Sequence, residues 1–257
     1  MSRRLIPAAQ VDEWAAQLQA AVDRALDAQR DAVLRVLGAH GIQLSVTAAS
    51  KKGRAAGLTG VVAFTVWDQD QWAKLVDAQI QPVAQSVADD AVVVASSNVS
   101  TSTAGMPSNA DAISAAIASA AIASGAYLGQ RMNNAAASST DPSDDIADVL
   151  ATSSAIVGGV VAGMALAAAN SASGDVSQFV TSTTGVLATH SWNSVLGETT
   201  RPWHADADGQ EVPVGQPFIV DGEEMMYPGD SAGSDENTIN CQCWEEVDGL
   251  DSGQAAA

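Results

Sequence analysis

Residues 185–248, GVLATHSWNSVLGETTRPWHADADGQEVPVGQPFIVDGEEMMYPGDSAGSDENTINCQCWEEVD, break with everything before them. Gly, Pro, Asp and Glu punctuate short apolar pieces: Val186-Leu187, Val212-Pro213-Val214, Phe218-Ile219-Val220 and Met225-Met226-Tyr227. That is the composition of hairpins and turns. The segment is predicted to be a small β-rich or α+β module, followed by a disordered tail over 249–257. Residues 1–184 read as an extended, mostly α-helical region. The fold class expected for the chain is therefore α+β.

Four helices are predicted upstream, over about 8–37, 68–95, 108–132 and 142–170. In the first, Val11, Trp14, Leu18, Val22 and Leu26 recur at three- and four-residue spacing, the signature of one apolar face. Pro7 suits its first turn and Gly38 its stop. Asp68 is the expected N-cap of the second, with Pro82 as a kink. Val61–Trp67 reads as a strand or as the edge of that helix. Asp141-Pro142 gives the fourth a cap and an N1 proline. The longest apolar run, Ala155–Ala169, has fifteen residues, short of the 18 or so that span a bilayer, so no membrane association is expected. No secretory signal is evident at the N-terminus, because Arg3 and Arg4 lead into a polar, periodic run.

Charge is spread unevenly. The 257 residues carry a net −19. Residues 1–54 hold eight bases and five acids, whereas residues 198–257 hold Arg201 and fourteen acids. This balance excludes a basic-patch nucleic-acid binder, and DNA binding is disfavoured above all for the acidic C-terminal module. Only Lys51, Lys52 and Arg54 offer a local basic turn. Two Cys are too few for a disulfide-stapled scaffold. The catalytic motifs H-E-x-x-H and G-x-x-x-x-G-K-[ST] are absent from the sequence, and pairs such as Glu223-Glu224 and Glu245-Glu246 read as solvated. No catalytic or cofactor-binding residue is assigned.

Within the C-terminal segment one constellation stands out: Trp192, then Arg201-Pro-Trp-His204, Asp208-Gly209, Phe218, Gly222, Pro228-Gly229-Asp230, and Asn240-Cys241-Gln-Cys243. Asp208-Gly209 and Pro228-Gly229 are tight-turn pairs. Arg201, the only base after Arg131, is expected to pair with Asp230 or another acid and to clamp two loops. Cys241 and Cys243 with His204 invite a zinc reading, with an acid as fourth ligand. Zinc sites more often use C-x₂₋₄-C spacing, and the thiols are read instead as packing into the small core, so no metal is assigned.

In order, spacing and residue type, residues 190–245 resemble the C-terminal signature of the phage Mu protein F-like (head morphogenesis) family of minor head proteins. Gln242 stands where that family usually has Arg, and Trp203 where a small polar residue often precedes the His. The resemblance implies a non-enzymatic virion component that acts in head morphogenesis with the phage portal protein, and with the major capsid or scaffold protein as further partners. It would reside in the head interior or neck, and in the host cytoplasm during assembly. The helical region, led by the α-helix over 8–37 with its Trp14/Leu18/Val22 stripe and basic end, is the candidate docking element. A capsid-maturation protease or nuclease-like enzyme, or an acidic scaffold-type protein, are the alternatives.

Overall fold

The computed structural model describes residues 2–40, 65–138 and 142–250. Lys51, Lys52, Arg54, Asp141 and most of Val61–Trp67 lie outside these. The helices are α1 (Ala8–Ala39), α2 (Gln69–Leu75), α3 (Gln81–Ser97), α4 (Ala110–Ser138) and α5 (Pro142–Thr184). The strands and short helices that follow are β1 (Thr189–Asn193), α6 (Pro202–Ala207), β2 (Glu211–Pro213), β3 (Phe218–Val220), β4 (Glu223–Met225), α7 (Asp235–Thr238) and β5 (Trp244–Asp248). The α+β class expected from sequence is the one observed.

Asp68 caps α2 as expected, its carboxylate accepting from the Gln71 amide at 2.9 Å. Between α2 and α3 the helix widens into a π turn, Val76–Ile80. Pro82 lies just beyond that turn. Its ring lacks the N–H that would bond Ala78 and crowds the preceding turn, which accounts for the widening. Trp72 is fully buried and donates Nε1–H to the Ala121 carbonyl at 3.0 Å. It fits because α4 offers Gly125 there, where a Cβ would lie 1.9 Å from the indole nitrogen.

The fourth helix runs fourteen residues beyond its expected end at 170. Ala172, Val176 and Val180 continue the buried stripe at four-residue spacing. Ser177, Thr181 and Thr184 fold their hydroxyls back onto carbonyls four residues earlier, so this polar composition does not stop the helix. Gly185, at φ +71°, ends it in the left-handed conformation, as a C′ residue does. Windows of α4 and α5 reach mean hydropathies of 1.5 and 1.9 and are, by length and composition alone, apolar enough to cross a membrane. The fifteen-residue run read from sequence understates this. Half and one third of these windows are buried inside the protein, where α4 and α5 pack on each other and on α3.

Strands β2, β1 and β5 form one antiparallel sheet in that order, with His190 opposite Val247 and Trp192 opposite Glu245. β3 and β4 form a separate hairpin. Its two-residue turn, Asp221-Gly222, has φ +51° and +80°, the type I′ pattern that matches strand twist. Residues before α1 lie along β5. Arg3 exchanges both backbone hydrogen bonds with Val247, and Arg4 stacks its guanidinium 4.0 Å over the Trp244 ring.

Two cores result. The larger is helical but also takes in Ala188, Val247 and Leu250. Leu250, assigned to the tail from sequence, is thus part of the folded body, while residues 251–257 lie outside those described. The smaller core gathers Trp192, Ala207, Phe218, Val220, Met225, Cys241 and Cys243. The expected docking stripe is corrected here: Trp14, Leu18 and Val22 are completely buried in the larger core, where α1 packs on α5. The chain's own helices cover that face, and Arg3 and Arg4 are engaged with Asn98 and Trp244.

Candidate functional site

Trp192 anchors the small core from the middle of β1. Phe218 meets it edge-on with ring centroids 5.6 Å apart, and His204 does the same at 5.7 Å. The Trp192 indole donates to the Ser194 hydroxyl at 3.1 Å. That hydroxyl donates to the His204 carbonyl at 2.6 Å and lies 3.3 Å from Cys243 Sγ. The Ser194 amide in turn donates to Asp208 Oδ1 at 2.7 Å. Asp208 therefore fixes the strand end, while Gly209, at φ +76°, turns the chain back onto it. The expected turn role of this pair is what the fold uses.

Arg201 precedes α6 in extended conformation, and Pro202 opens that helix, so His204 sits on its inner face. The two cysteines arrive from the other side. After α7 the chain turns through Asn240, at φ +55°, a conformation that asparagine tolerates better than most residues. Arg201 does clamp two loops, but not through an acid. Its guanidinium donates to the Ile239 carbonyl at 2.5 Å, next to the cysteines. The Asp230 carboxylate instead accepts from the amides of Met226 and Ala232, at 2.8 and 2.9 Å. A rare base in an acidic segment bonds a peptide carbonyl, while Asp230 organises its own loop.

At the centre, His204, Cys241 and Cys243 converge. Their exposures are 2%, 5% and 3%, and their candidate ligand atoms all lie within 4.8 Å of one another. His204 Nδ1 is 3.3 Å from Cys243 Sγ and 3.9 Å from Cys241 Sγ. The hydrogen bond from the Cys241 thiol, with those from His204 and Ser194, pulls Cys243 down to about 5 against the opposing effect of burial. Cys241 is pushed far up by its bond to Cys243 and by burial. The thiols do line the small core, as expected from sequence, but they face an imidazole rather than apolar atoms alone. His204 Nε2 is buried and has no hydrogen-bond partner among the described residues.

The remaining motif residues hold this core to the helices. Gly229, at φ +83°, lies so close to α5 that a Cβ there would sit 2.9 Å from Ala167 Cβ. The Pro228 carbonyl accepts from Asn170 Nδ2 at 2.9 Å. Gly222 completes the β3–β4 turn, and Phe218 also stacks 4.3 Å from His190.

Sequence reasoning missed three contributors. Ser194 links Trp192, His204 and Cys243. Asn170 on α5 bonds Pro228, Cys243 and Glu245. Glu245, read as solvated, is buried, with Oε2 at 3.1 Å from His190 Nδ1. The only signal for them was the interruption each makes: a hydroxyl just after Trp192, an amide inside an alanine run, a carboxylate at an inward strand position.

Chemically, a thiol 3.3 Å from an imidazole has the spacing of a nucleophile and its base. A working dyad also needs substrate access and a group that orients the second ring nitrogen. Here the dyad is almost wholly buried, and Nε2 has no such group among the described residues. Comparison of the chain with protein-family models, with curated proteins and with solved structures finds no match in any of the three.

Proposed function

We propose that this chain is a non-enzymatic phage minor head protein that acts in head morphogenesis in association with the portal. The reading rests on the resemblance of residues 190–245 to the Mu F-like signature. What supports it is how those residues are used: Trp192, His204, Phe218, Cys241 and Cys243 meet in one closed core. Asp208, Gly209, Gly222, Gly229 and Asp230 shape the turns around it. A signature spent on packing and turns belongs to architecture, since turnover needs an accessible cleft.

In this role the protein resides in the head interior or neck and carries an acidic module that packaged DNA repels. The portal contact falls on surfaces other than the Trp14/Leu18/Val22 stripe, which is buried. Quantitative mass spectrometry of procapsids and mature heads is the test. A few copies per particle in both, with the chain co-purifying with the portal, is the expected result. Presence in procapsids alone would make it a scaffold, and absence from both would overturn the proposal. The thiol–imidazole contact is the observation that favours an enzyme. Peptide- or DNA-cleaving activity lost in both His204→Ala and Cys243→Ser would establish that rival.

A further inference from the structure

Within the small core, His204, Cys241 and Cys243 bring together the donor types and spacing of a metal site. Around a tetrahedral Zn²⁺, bonds of about 2.1 Å to nitrogen and 2.3 Å to sulfur set nitrogen–sulfur separations of about 3.6 Å. The observed separations of 3.3 and 3.9 Å bracket that value. Cys-x-Cys spacing is shorter than the common pattern, but both sulfurs lie within 4.8 Å of the imidazole ligand atom and of each other.

The metal-free alternative leaves the imidazole poorly satisfied. Nε2 has no partner among the described residues whether or not Nδ1 holds a metal, so the comparison falls on Nδ1, whose contacts are the two sulfurs. Sulfur is a weak hydrogen-bonding partner, and an uncompensated buried polar group is costly. A bond from Nδ1 to a metal would replace those weak contacts with a strong one.

We propose that His204 Nδ1, Cys241 Sγ and Cys243 Sγ bind one Zn²⁺, which braces α6 against the chain segment that follows α7. Binding requires both sulfurs as thiolates and releases any protons they still carry to solvent. Two thiolates then neutralise the dication, leaving a site with no net charge to bury. Thiolate and imidazole donors select zinc among common cellular divalent ions. The inference is independent of the proposed head role, because a zinc brace would serve an enzyme or a scaffold equally.

The test uses the full chain, purified without chelator. Mass spectrometry of metals should find one equivalent of zinc per chain. After stripping, titration with Co²⁺ alone should produce tetrahedral visible bands and a thiolate-to-cobalt charge-transfer band. Both should vanish in Cys241→Ser/Cys243→Ser, and His204→Ala should weaken binding by roughly tenfold or more. Because the double variant can fail to fold, thiol reactivity of the native chain provides a second readout. Both cysteines should resist a disulfide reagent with zinc bound and react after chelation. Folded native protein that binds no cobalt, shows no charge-transfer band, or has equal thiol reactivity with and without zinc would overturn the proposal.

Discussion

Asn170 directs three hydrogen bonds from the middle of α5 into the C-terminal module. Its Nδ2 donates to the Pro228 and Cys243 carbonyls at 2.9 and 3.1 Å, and its Oδ1 accepts from the Glu245 amide at 3.2 Å. All of this is buried, so Asn170→Ala strands two carbonyls and an N–H. At about 1–3 kcal/mol for each unsatisfied group, less some relaxation, the expected loss is about 3 kcal/mol. Urea denaturation checks this; a loss below about 1 kcal/mol would mean that water replaces the amide. Arg201→Ala is expected to cost only about 1 kcal/mol, since its half-exposed guanidinium makes one bond, to the Ile239 carbonyl. The sequence draws the eye to Arg201 because a lone base among acids is conspicuous. It hides Asn170, because which backbone groups need a partner is decided only when distant segments meet.

Helix stripes and turn residues were legible because each is a local pattern. The Asp68 cap, the Asp208-Gly209 turn and the Pro228-Gly229 turn all follow from a few adjacent residues. β5 was not read, because Trp244-Glu-Glu-Val-Asp248 places a carboxylate where an inward strand position calls for an apolar side chain. That carboxyl, Glu245, lies with Oε2 3.1 Å from His190 Nδ1. His190 Nε2 faces the Gln216 carbonyl at 3.0 Å and so carries hydrogen, while Nδ1 faces the carboxylate. Burial raises the Glu245 pKa, opposed by His190, and Asp175 on α5 raises it further. Burial also raises Asp175 and Tyr227, which pack nearby. A carboxyl raised on folding contributes stability that is complete below the unfolded value of about 4.3 and is lost as pH climbs through the raised value. Glu245→Gln keeps a donor for His190 Nδ1 and removes the ionisation. Its stability should vary less with pH above about 4.3, with a gain on the order of 1 kcal/mol at neutral pH. Urea midpoints measured across that range check the slope; an unchanged slope would place the effect elsewhere.

Over the whole molecule, the helical region and the C-terminal module share packing. Ala188, Val247 and Leu250 belong to the helical core, and Asn170 stitches the two cores together. Trp14→Ala should therefore cost about 3–5 kcal/mol and lower the melting of β1 and β5 together with α1. Thermal scans that follow near- and far-ultraviolet circular dichroism should report a single shifted transition; two separate transitions would contradict shared packing. Sequence reasoning required the long α1 to lie on something, either its own chain or a partner. It could not see that the partner is α5 of the same chain, because periodicity states that a face is buried, not by what.

The strap of residues before α1 gives this body a mechanical weak point. Arg3 and Val247 pair antiparallel, so the chain leaves the pair in the same direction on both sides of the junction. Tension drawn through its two extremities would load those bonds one after another instead of sharing the strain among them. The join would unzip before any helix yields, and the first residues to peel away would bare the outer edge of β5.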